Sequence, residues 1–208
     1  MTESASKART PAINRKPISG FLQGASIYLL AAGCLVLAPW SENIGQMFAL
    51  NRNGLLNHEY WRLWTGHLVH NSWAHLALNV AALALLQQLF GADLQKGKWF
   101  RAYVVIAPLI SILWLARGSD DTVYGLSALL HGLYAFAACL AISRDKLLAG
   151  VVLGILGAKL LWEQTVGPSE TTADLIAMPI AINTHLYGAV CGVILGLLVI
   201  AYKAIRDD

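Results

Sequence analysis

Within "GLSALLHG", Gly125 to Gly132, a serine stands two residues after a glycine and a histidine follows one helical turn later, in surroundings otherwise apolar enough for a membrane. A second histidine, His185, lies in "NTHLYGAVCGVILG", and a third, His75, is followed four residues on by Asn79 in "HNSWAHLALN". A serine hydroxyl within hydrogen-bond reach of an imidazole is the pairing used in nucleophilic acyl transfer, where the ring takes the hydroxyl proton as the oxygen attacks a carbonyl. Residues four apart share a helix face, so the NH groups of His75 and Asn79 suit the oxyanion that such an attack creates. Polar groups buried in lipid are costly, which makes each of these residues a functional candidate.

The elements that must position them are membrane helices. A chain of 208 residues that is 57% hydrophobic and 13% charged, with a mean hydropathy of +0.56, is too apolar for a water-soluble domain. Six apolar runs are long enough to cross a bilayer, near residues 20–39, 68–90, 99–116, 123–143, 147–163 and 180–202. The expected fold is an all-α polytopic membrane protein with six transmembrane helices. Its membrane domain covers residues 20–203, between a basic N-terminal tail at 1–19 and a short C-terminal tail at 204–208. The N-terminal segment lacks a small-residue cleavage site in the usual place after its apolar run, so it is not read as a removed signal peptide. Lys7, Arg9, Arg15, Lys16, Lys96, Lys98, Arg101, Arg144, Lys146, Lys203 and Arg206 fall on one side and only Arg52, Arg62 and Arg117 on the other, which places both termini in the cytoplasm. The formal charge of +3 reflects this inside bias and gives no argument for nucleic acid. Trp40, Trp61, Trp64, Trp73, Trp99, Trp114 and Trp162 fall at span ends or in the first outer loop, residues 41–66, as an aromatic belt would. Cys34, Cys139 and Cys191 lie alone in different spans, too sparse for a disulfide framework.

In this topology spans two, four and six run in the same direction, and His75, Ser127 and His185 each lie in the first part of their own helix. At about 1.5 Å of rise per residue they reach comparable depth in the outer half of the bilayer. Gly188, Gly192 and Gly196 recur every four residues and make a smooth stripe, to which Gly125, Ala128 and Gly132 offer matching small residues. Close approach of spans four and six along this stripe brings Ser127 to His185.

"WRLWTGHLVHNSWAHLALN", "GLSALLHG" and "HLYGAVCG" resemble the signature pieces of the rhomboid intramembrane serine proteases. These pieces are a WR pair in the first loop (Trp61, Arg62), HxxxN on the second helix (His75, Asn79), GxSx opening the fourth (Gly125, Ser127) and HxxGxxxG on the sixth (His185, Gly188, Gly192). The resemblance implies a catalytic dyad of Ser127 and His185, with His75, Asn79 and the Ser127 backbone NH holding the oxyanion. It makes His70 a structural histidine above the oxyanion side chains. Ala128 takes the place of the second glycine of GxSG, and His131 stands where many rhomboids carry an aromatic residue that stacks on the catalytic histidine. "GLSALLHG" and "AKLLWEQ" are similar to the rhombosortase branch. That branch implies bacterial inner-membrane enzymes that open to the periplasm and process membrane proteins carrying a C-terminal Gly-Gly motif, one transmembrane helix and a basic end. The acyl group then passes to water or to an amine, such as one on a lipid head group. No cofactor is implied.

Other readings compete. Lys159 and Glu163, at i and i+4 in span five, read most simply as an ion pair that snorkels to the interface, where they are also candidates for a gate or substrate contact. No acidic third member is placed by the spacing, so a dyad is the economical expectation. His67, His70 and His75 invite a zinc reading, but spacings of three and five do not repeat one helix face and HExxH is absent. A proton-coupled transporter would use His75, His131, Lys159 and His185 as a relay, against which no internal repeat is found. A non-catalytic client-binding relative would lack a dyad residue, and neither is missing.

Overall fold

The computed structural model describes residues 27–40, 42–118 and 121–207, so the N-terminal tail and the start of the first expected span lie outside it. Ten helices follow in order among the described residues: α1 (Tyr28–Val36), α2 (Glu42–Phe48), α3 (Arg52–Leu56), α4 (Arg62–Thr65), α5 (Trp73–Phe90), α6 (Lys98–Ala116), α7 (Ser127–Ala141), α8 (Lys146–Thr165), α9 (Glu170–Ile176) and α10 (Ile182–Asp207). No strand forms among them; the β-type pairing is one isolated bridge between Leu50 and Val123.

Helices α5, α6, α8 and α10 are long and apolar enough to cross a membrane, and α7 is a shorter apolar helix of 15 residues. Their outward faces carry exposed Leu85, Val104, Ile155 and Leu198, a pattern suited to lipid. The fourth expected span, 123–143, is therefore too long. Val123 exchanges both backbone hydrogen bonds with Leu50, and the Gly125 N–H donates to the Gly66 carbonyl at 3.2 Å, which keeps this stretch extended until Ser127. A 15-residue helix rises only about 22 Å, less than a hydrocarbon core of about 30 Å, and Ser127 lies in its first turn. It is the central helix: eleven of its residues, including Leu129, Leu133 and Phe136, are buried.

Helix α8 is longer than the fifth span expected at 147–163; Asp145 caps its start, accepting from the Leu148 N–H at 2.9 Å. The sixth continues to Asp207. The expected loop at 41–66 contains the short helices α2, α3 and α4. Of the tryptophans expected in an aromatic belt, Trp40, Trp61, Trp73 and Trp162 are exposed, as a belt requires, but Trp99 and Trp114 are buried. Trp114 packs with Leu50, Leu55 and Val123 beneath the first loop, where its ring fills the core.

Candidate active site

The seam between α7 and α10 depends on the glycine stripe. A Cβ on Gly188 would overlap the Ala128 carbonyl oxygen, and one on Gly192 would overlap that of Gly132. Backbones in such contact bring the starts of the two helices together. The His185 Nε2 lies 3.0 Å from Ser127 Oγ. His131, one turn below the serine, donates from Nδ1 to the Ser127 carbonyl at 2.7 Å. Its ring lies flat on His185, with centroids 4.2 Å apart and planes inclined by 10°.

Glu163 departs from the sequence expectation. It pairs with Lys159, yet instead of snorkelling outward it is 6% exposed and turns its carboxylate onto His185. The His185 Nδ1–H donates to Oε1 and Oε2 at 3.1 and 3.0 Å. Charged carboxylates only accept hydrogen bonds, so the proton of neutral His185 sits on Nδ1 and leaves Nε2 to accept from Ser127. Lys159, half-exposed, lies at the mouth of the site.

On α5, the Asn79 amide donates to His70 Nε2 at 2.9 Å, while His70 Nδ1 donates to the Leu68 carbonyl at 3.0 Å. That fixes the amide's orientation and leaves its second N–H. His75 is set by a residue the sequence reading passed over, Asn71, whose Oδ1 accepts from His75 Nδ1 at 2.8 Å. The Asn71 amide group donates to the Ile176 carbonyl at 2.7 Å, so its oxygen must face the histidine. Neutral His75 therefore presents Nε2 as an acceptor. Gly125 lies against both side chains: its φ is +99°, and an added Cβ would come within 2.5 Å of the His75 ring and 3.3 Å of Asn79 Nδ2. Both the backbone sign and the space require glycine there.

Trp61 and Arg62 stand apart from this cluster and organise the first loop. Buried Arg62 donates to the Gln46 and Ala49 carbonyls at 2.8 and 2.6 Å and pairs with Glu59, while Trp61 Nε1 donates to the Met47 carbonyl. His67 faces α6, with Nε2 3.1 Å from both the Ala107 carbonyl and Ser111 Oγ. His67, His70 and His75 thus do not converge on one point. Among the described residues, His131, Glu163 and His185 have ligand atoms within 4.8 Å of one another, but His185 and Glu163 spend theirs on each other and on Ser127.

Two depressions meet at Ser127. One, about 290 Å³, lies under the segment after α9 and is lined by His75, Gly125, Met178, Thr184 and His185. The other, about 340 Å³, is an apolar groove among α5, α7 and α8, lined by Leu85, Tyr134, Val152 and Ile155 and reaching Asn79, His131 and Lys159.

A model of the rhomboid domain matches residues 57–202, a stretch holding every residue of this cluster. No curated protein matches the chain. With that match over more than half its length and several helices apolar enough to cross a bilayer, the chain is a multi-pass membrane protein that belongs to the rhomboid family of intramembrane serine proteases.

Proposed function

We propose that this enzyme is a rhombosortase, cleaving membrane-anchored clients at a Gly-Gly site near the outer face of a bacterial inner membrane, by a six-span fold with both termini in the cytoplasm. The hydrogen bond of 3.0 Å between Ser127 Oγ and His185 Nε2 carries the catalytic part of this reading. His185 takes the hydroxyl proton as Oγ attacks the peptide carbonyl, then gives that proton to the departing amine, leaving an acyl group on Ser127. Water or an amine then attacks the ester; its proton returns through His185 to the serine.

The two depressions suit such a reaction. A client helix enters through the apolar groove between α5 and α8, and water or an amine acceptor through the cleft under the segment after α9. Attack requires an extended backbone, and glycines make local unwinding of a client helix cheap, by roughly 1 kcal/mol per residue relative to alanine. The rhombosortase part rests on "GLSALLHG" and "AKLLWEQ". Mass spectrometry of a processed Gly-Gly client tests it: a new C-terminus at that motif, free or as an amide, is the expected product, and cleavage only elsewhere overturns the assignment.

Oxyanion stabilisation in this reading comes from the free N–H of Asn79 and the Ser127 backbone N–H, one of the first-turn donors that an α-helix leaves unpaired. His75, its Nδ1–H held by Asn71, donates to the oxyanion only as an imidazolium. Asn79→Ala is therefore expected to lower kcat by about 100- to 1000-fold, and His75→Ala by less. Equal losses, or parental turnover in Asn79→Ala, would remove Asn79 from its leading role.

A further inference from the structure

We infer that Glu163 is a positioning residue for the reaction, the acidic partner that holds His185 in the tautomer able to take the Ser127 proton. The inference rests on the serine-protease reading of the site and adds a third member to its dyad. Helix α8 fully buries only Ala149, Leu160 and Glu163, so a carboxylate occupies one of its three buried positions. Burying that charge is costly unless it is fully paired. It has two donors, the Lys159 ammonium and the His185 Nδ1–H, and the latter meets both carboxylate oxygens. Packing alone would be met by leucine. A carboxylate at this place keeps the proton on Nδ1, aims Nε2 at Ser127 Oγ, and stabilises the imidazolium that forms as the serine attacks.

Lys159 sharpens the test. It bonds Oε1, leaving Oε2 3.0 Å from the ring nitrogen. In Glu163→Gln the ammonium selects the amide oxygen, and the amide nitrogen then faces Nδ1. An N–H aimed at Nδ1 favours the proton on Nε2, the tautomer that cannot accept from Ser127. Removing the lysine as well lets the amide turn its oxygen to the ring.

The experiment measures kcat and KM for a reconstituted Gly-Gly client. Glu163→Gln is expected to lose about 100-fold or more in kcat with little change in KM, and Lys159→Met/Glu163→Gln to recover about tenfold of that loss. Lys159→Met/Glu163→Leu removes the ion pair without stranding a charge; it should fold as well as the parent and still lose about 100-fold in kcat. Parental kcat in Glu163→Gln or in the leucine double variant, or no recovery in the glutamine double variant, overturns the inference. Ser127→Ala runs beside them. Cleavage by that variant would mean that the protease reading itself has failed, whereas an inactive Ser127→Ala with parental Glu163 variants removes Glu163 alone.

Discussion

Ser127→Ala and His185→Phe should each lower client cleavage by a factor on the order of a million, as loss of either member of such a pair does in soluble serine proteases. Both proteins should still insert and accumulate. The informative comparison is with His131, the rival base one turn away. His131 gives its Nδ1–H to the Ser127 carbonyl, and its ring stacks on His185 instead of meeting the hydroxyl. Phenylalanine preserves that flat surface. A serine-directed fluorophosphonate should therefore label His131→Phe and the parent, but not His185→Phe. Labelling of His185→Phe with none of His131→Phe would move the base from α10 to α7.

The placement of the residues at the centre of the site is legible because they occupy fixed offsets on helices. Serine after GL, histidine before LYG, and the HxxxN pair each fix a helix face, and the recurring glycines say which helices touch. Resemblance to the rhomboid signatures supplied the roles, and the family match covers the same residues. What stayed hidden depended on contacts between elements. Glu163 and Lys159 read as a local i, i+4 pair because spacing shows only the partner on the same helix; the third partner, His185, is 22 residues away. Asn71 lies just before α5, where a single polar residue carries no periodic signal, yet it orients His75 and clamps Ile176. Hydropathy also extends the fourth span to residue 123, since Val123, Tyr124 and Leu126 continue its apolar run, whereas long-range backbone bonds of Val123 to Leu50 and of Gly125 to Gly66 keep the chain extended there. Trp99 and Trp114 show the same limit: an aromatic near a span end fits an interface or a core equally well on sequence, and neighbouring loops decide.

Gly188→Ala should lower kcat about 100-fold or more through a single methyl group placed away from the reacting atoms. The new Cβ would overlap the Ala128 carbonyl oxygen, which belongs to helix backbone and cannot rotate aside. Relief of that overlap to a contact near 3.5 Å requires α7 and α10 to separate locally by about 1.5 Å. Ser127 and Ala128 are adjacent on α7, and His185 is one turn before Gly188 on α10, so the separation falls on the 3.0 Å hydrogen bond between Ser127 and His185, the proposed nucleophile and base. A misplacement of about 1 Å in a catalytic pair costs on the order of 100-fold in rate. Insertion should persist, because most of the α7–α10 seam lies beyond the altered turn, though a lower melting temperature is expected from the strained contact. Gly150→Ala and Gly157→Ala on α8 are the controls: nothing lies within 4 Å of an added Cβ at either position, and both should cleave at the parental rate. If Gly188→Ala cleaves as fast as these controls, α7 and α10 have room to separate without parting the pair, and the glycine stripe is not what sets the distance between Ser127 and His185.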